Sequence, residues 1–185
     1  MTNSKSDVFW NWSLTRYHRP GVETALLRLQ DDFGCNANIL LWLCWIAEAF
    51  GPVPDIVVKK AVDTTSAWNR EVTGKLRQAR RSLKTSNDAG EAGELLREQI
   101  KKAELEAEHI EQTLLERLAA STLTASGEKV RADILRDARR NLAAYAATAG
   151  AARIKGFSTS LLHTLIDHIF NDNHEAAAEK ACANE

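Results

Sequence analysis

Every proline in this 185-residue chain lies within its first 54 residues: Pro20, Pro52 and Pro54. Proline lacks a backbone donor and clashes with the preceding helical turn. Its absence from residues 55–185 therefore leaves that stretch open to long, unbroken helices. Composition agrees, because Ala, Glu, Lys, Arg and Leu dominate there, all strong helix formers. The aromatics are sorted the other way, with eight of twelve at or before Phe50. No stretch shows the sustained period-two alternation of a half-buried strand. The chain reads as all-α, a helical bundle of about six to seven helices that includes a long antiparallel helical hairpin. An aromatic-rich N-terminal helical unit is expected over residues 1–53. The hairpin and two further helices pack as one domain over 54–170, and a polar, Ala-rich stretch over 171–185 reads as a flexible tail.

Within the first unit, Asp7 is placed to cap a short helix ending near Tyr17, broken by Pro20-Gly21. Val22, Ala25, Leu26 and Leu29 recur at helical spacing, and Gly34 is a natural stop. Asn36 or Asn38 can cap the next helix by accepting its orphan amide protons. That helix, Ile39 to Phe50, is apolar nearly all round, which marks a buried central element. Gly51-Pro52 ends it.

The second unit carries two seams. Val57, Ala61, Thr65, Trp68, Val72, Leu76, Ala79 and Leu83 advance by threes and fours. After a turn-rich stretch from Thr85 to Gly90, Leu96, Ile100, Ala103, Ala107, Ile110, Leu114 and Leu118 resume the pattern. The first helix carries eight Lys and Arg against three acids, a net +5; the second carries four against eight, a net −4. Opposite charge flanking facing seams favours their antiparallel pairing, although each exposed ion pair contributes only about 0–1 kcal/mol. A further helix is predicted from near Ser126-Gly127-Glu128, presenting Val130, Ile134, Ala138, Leu142, Tyr145 and Ala149. Ser158 caps a last one with Leu161, Leu162, Leu165, Ile166 and Ile169 inward.

Charge and hydropathy exclude large classes of function. A net charge of −1 lacks the basic excess of a nucleic-acid binder. The longest apolar run, Ile39 to Ala47, is far short of the roughly 20 residues of a spanning helix, and no secretory leader opens the chain. Cys35, Cys44 and Cys182 make no disulfide framework, which suits a reducing cytoplasm.

Catalytic and metal signals are thin. Glu106 and His109 have the Glu-x-x-His spacing of di-iron bundles, but no second copy exists and the seam puts both on a solvated flank. His163 and Asp167 share a helix face while His168 points elsewhere, too few ligands for a site. Cys44 reads as a core thiol. Cys35 reads as part of a connector, although a helix N-terminus nearby could lower its pKa. The Arg80-Arg81 and Arg139-Arg140 pairs read as solvated faces diluted by neighbouring acids. No catalytic residue, metal or cofactor is expected.

The most specific string is N-terminal: Phe9-Trp10-x-Trp12-Ser13-Leu14, Pro20-Gly21-Val22, Leu26-Leu27-x-Leu29-Gln30-Asp31, Gly34, Asn36-x-Asn38, then Leu40-Leu41-Trp42 and Trp45. This pattern resembles a family of uncharacterised proteobacterial proteins, a domain of unknown function. The resemblance implies a cytoplasmic bacterial helical protein and carries no activity with it.

Two residues apart on a helix, Trp10 and Trp12 point about 200° apart, so both cannot face one core. Either neighbouring helices wrap both sides, or one ring is offered to a partner. Gln30, Asp31, Asn36 and Asn38 cluster in sequence at a helix–helix corner, bonding loop backbone or holding a ligand. These six residues are the candidate interaction or ligand surface. The favoured expectation is a non-enzymatic adaptor or regulator that binds a protein partner, or a second copy, through helical faces. The alternative is a small-ligand or cofactor-binding protein, with or without enzymatic activity, whose pocket lies at the N-terminal corner.

Overall fold

The computed structural model describes residues 7–85 and 90–171. The elements are α1 (Val8–Tyr17), α2 (Val22–Phe33), α3 (Ala37–Ala49), α4 (Asp55–Trp68), α5 (Gly74–Thr85), α6 (Gly90–Thr122), α7 (Arg131–Thr148) and α8 (Thr159–Ile169). A π-helical turn, Asn69–Thr73, joins α4 to α5 without a break, and a short 3₁₀ turn, Ala151–Arg153, follows α7. Counted so, the described residues form seven helices and no strand. The protein is all-α.

At the centre lies α3. Every residue from Asn38 to Ala47 is buried, because neighbours cover it on all sides: α7 and α6 along its length, α1 and α2 at its flanks. Its ends are closed by side chains. Asn36 Oδ1 accepts from the amides of Asn38 (2.9 Å) and Ile39 (3.4 Å), the capping expected of an asparagine there. At the other end Gly51 takes φ +106, a left-handed conformation that glycine adopts without strain. A Cβ at Gly51 would stand 2.7 Å from Lys129 Nζ.

The helix predicted from Ser126 starts later, at Arg131. Residues 123–130 are drawn out of helix because they serve the end of α3, whose last carbonyls have no partner of their own. Ser126 donates its amide (3.0 Å) and hydroxyl (3.2 Å) to the Ala49 carbonyl, and Lys129 Nζ donates to that of Ala47 at 3.0 Å. Lys129 also meets the buried Asp137 at 3.1 Å. Consequently Val130, expected inward, is 66% exposed.

α6 packs along α5 and α4, and the polar pairs between them run in opposite directions: Arg80 with Glu104, Arg77 with Glu104 and Glu108, Asn69 with Glu111. The seam of α6 is rotated from the predicted one. Leu96, Ala103 and Ile110 are exposed, whereas Glu104 and Glu111 are buried in their place. A hydrophobic pattern assigns carboxylates to the surface; here arginine and asparagine partners supply the hydrogen bonds that burial requires. In the π turn, the extra residue brings Asn69 toward Glu111 and Trp68 Nε1 onto the Ala107 carbonyl at 3.0 Å. Gly74 admits this turn, since a Cβ would lie 2.9 Å from the Asn69 carbonyl oxygen. The predicted tail beyond Asn171, Cys182 and the loop at 86–89 lie outside the described residues.

Candidate functional site

Asn36 and Asn38 do meet other polar groups, but inside the protein. Glu111, fully buried on α6, accepts from Asn36 Nδ2 at one carboxylate oxygen. Its other oxygen accepts from Asn38 Nδ2 at 3.2 Å and Asn69 Nδ2 at 3.5 Å. Asn38 Oδ1 in turn accepts from Gln112 Nε2 at 2.9 Å, and Gln112 Oε1 takes the Ser13 hydroxyl at 2.8 Å. The Tyr145 hydroxyl accepts the Asn36 amide at 2.7 Å. Five segments thus converge: α1, the α2–α3 corner, the π turn, α6 and α7.

The orientation of each amide is set by its second bond. Asn36 Oδ1 caps α3 and Asn38 Oδ1 holds Gln112, so both NH₂ groups must point at Glu111. The arrangement is matched to a carboxylate, which only accepts. Burial opposes that charge and raises the Glu111 pKa, with the asparagine bonds and Arg77 pulling the other way. One helical turn away, burial likewise raises Glu108, against the pull of Arg77, whose guanidinium donates to it at 2.7 Å. Glu104 accepts from both Arg77 and Arg80. Glu111 itself is closed to solvent, and the cluster ties helices together.

The other candidates part company. Gln30 and Asp31 sit at the surface, where Asp31 pairs with Arg81 at 2.8 and 3.1 Å and Gln30 Nε2 reaches Asp31 at 3.3 Å. The Arg81 guanidinium bonded to it lowers the Asp31 pKa. Trp10 is half-buried and stacks on His109 with centroids 4.4 Å apart; His109 Nε2 lies 3.1 Å from Asp7. Trp12 faces elsewhere and donates Nε1 to Glu48 at 3.0 Å, with the Arg16 guanidinium 5.4 Å from its ring centroid. Helices therefore flank both rings. The six residues do not form one surface.

A cleft of about 400 Å³ opens between α1, the end of α3 and residues 126–129. Trp12 is the one predicted candidate that lines it, joined by Trp45, Glu48, Glu128 and Lys129. Elsewhere, burial pushes the Cys35 thiol up to about 11, so nearness to α3 does not activate it. Arg80, Arg81 and Arg139 each meet an acid, which neutralises the first basic pair and half of the second. Among the described residues no three His, Cys, Asp or Glu gather in a way that could hold a metal.

The buried acids escaped the sequence reading, yet a signal was present. Glu104, Ala107, Glu111 and Leu115 advance by three and four, the spacing of a single inward face. Against known proteins, no curated protein and no solved structure matches this chain. One family match reaches well beyond the N-terminal pattern, through the π turn and most of α6. It covers residues 8–115, more than half of the chain, and the protein belongs to that family, described as a protein of unknown function, DUF2390.

Proposed function

We propose that the protein is a non-enzymatic interaction protein, an adaptor or regulator that receives a partner helix on the outer side of α6. One observation carries this reading. Leu96, Ala103 and Ile110 are exposed at heptad spacing, with Leu96 and Ile110 each 47% accessible. Residues seven apart on a helix differ by only about 20°, so the three form a straight stripe. They are one half of the heptad seam, whose other half, Ile100, Ala107 and Leu114, turns inward. A stripe of this kind fits the knobs of a second amphipathic helix, and Leu95, 62% exposed, widens it.

The test is a double variant, Leu96→Asp with Ile110→Asp, used as bait for in-cell crosslinking and in sedimentation velocity. Both positions are exposed, so each should shift unfolding by no more than about 0.5 kcal/mol and the pair by no more than about 1 kcal/mol. Loss of a crosslinked partner, or of self-association, in the variant supports the reading. Equal recovery from both forms, or no associate of either, overturns it.

A small-ligand protein is the second reading. The observation in its favour is the aromatic-walled cleft beside Trp12, whose volume falls within the roughly 300–1,000 Å³ range of small-molecule sites.

A further inference from the structure

From the chemistry of the cleft walls we infer that it takes a small organic cation, an ammonium or guanidinium group carrying an apolar body. This rests on the small-ligand reading and adds the ligand class to it. Indole faces carry negative potential and attract organic cations. Two indoles, Trp12 and Trp45, line this cleft. Trp12 already shows the preference, with the Arg16 guanidinium 5.4 Å from its centroid.

Charge in the walls points the same way once internal pairs are set aside. Lys129 lines the cleft, but its ammonium is spent on Asp137 at 3.1 Å and on the Ala47 carbonyl at 3.0 Å. Glu48 engages Trp12 Nε1 and Arg16 (3.7 Å) through one oxygen, Oε2. Its other oxygen has no hydrogen bond or ion pair among the described residues. Glu128 makes no ion pair among them either. Arg16 matches the charge of Glu48, so the unspent charge of the lining is the negative charge of the exposed Glu128, beside two aromatic walls. An anion would meet repulsion there. A bare metal ion would lack ligands, since no three ligating side chains come together among the described residues. Space at the rim is open, because a Cβ built on Gly127 meets nothing within 4 Å.

The probes are benzylammonium, benzyl alcohol and benzoate, which share a ring and differ in charge, together with agmatine for the guanidinium. Each is titrated into the full chain by calorimetry and by tryptophan fluorescence. Benzylammonium or agmatine should bind at least about tenfold more tightly than benzyl alcohol, and benzoate more weakly still. Glu48→Gln with Glu128→Gln should remove that preference, whereas Trp10→Phe, outside the cleft, should leave it intact. N-acetyl-lysinamide in a further arm separates free amines from a side chain presented by a protein. Equal binding of benzyl alcohol and benzylammonium would overturn the cation inference while leaving a ligand site standing. If none of the probes saturates below about 10 mM, where binding carries less than about 3 kcal/mol, the cation inference and the small-ligand reading fall together.

Discussion

Asn36 has two separable jobs, and substituting it tests how the buried cluster works. Its side-chain oxygen caps α3, and its NH₂ donates to the buried Glu111 carboxylate. A lost cap costs about 1 kcal/mol, and a lost hydrogen bond to a charged group about 1.5–3 kcal/mol. Asn36→Ser keeps a capping hydroxyl and deletes the amide, so it should cost about 2 kcal/mol; Asn36→Ala loses both and should cost about 3 kcal/mol. For a chain of this length that is a fall in Tm of roughly 4–8 °C and 6–12 °C.

The dependence on pH identifies the cause. Burial raises the folded-state pKa of Glu111 above its unfolded value, and the Asn36 bond restrains that rise. A raised carboxyl pKa contributes stability that is fully present below the unfolded pKa and lost as pH climbs through the folded one. Removing the amide raises the folded pKa further and enlarges that loss. Wild type and Asn36→Ser should therefore diverge most at about pH 8 and converge toward about pH 4.5, as protonation of Glu111 removes the charge that the amide holds. Urea unfolding followed by far-ultraviolet circular dichroism at both pH values is the assay. A Ser variant within about 0.5 kcal/mol of wild type, or one equally destabilised at both pH values, would refute the assignment of Glu111 as a buried carboxylate held by asparagine donors.

Two further outcomes follow from the geometry. Glu104→Ala strands Arg80 and leaves Arg77 with Glu108 as its one remaining carboxylate; the two arginine side chains are only 27% and 16% exposed. It should cost about 3 kcal/mol and speed amide exchange in α5, read by urea midpoint and hydrogen exchange; a cost below about 1 kcal/mol would show that the pairs are solvent-screened. In a Cys182→Ser background, neither Cys35 nor Cys44 should react with a thiol-specific disulfide reagent until denaturant is added. Both are buried, and burial raises both pKa values. Prompt native reaction of Cys35 would show that its segment opens.

The class of fold was legible because it rests on local rules. Proline confined to the first 54 residues, helix-forming composition beyond, Asn36 and Ser158 as caps and Gly34 as a stop all act within a few residues of themselves. The all-round apolar run from Ile39 likewise announced a central helix, since only full coverage satisfies it. The divergence of Trp10 and Trp12 was readable from helix periodicity alone. What each ring touches, His109 or Glu48, was not.

Tertiary structure decided the rest, for one recurring reason: a polar side chain can be buried when a distant partner completes its hydrogen bonds. Glu111 faces inward because Asn36 and Asn38 arrive from one distant place in the chain and Asn69 from another. That choice rotates α6 and leaves Leu96, Ala103 and Ile110 outside. Residues 123–130 stay out of helix because they cap α3, more than seventy positions earlier. The sequence alone determined that helices form and roughly where they stop. Which face each helix turns inward depended on hydrogen-bond partners that only folding brings together.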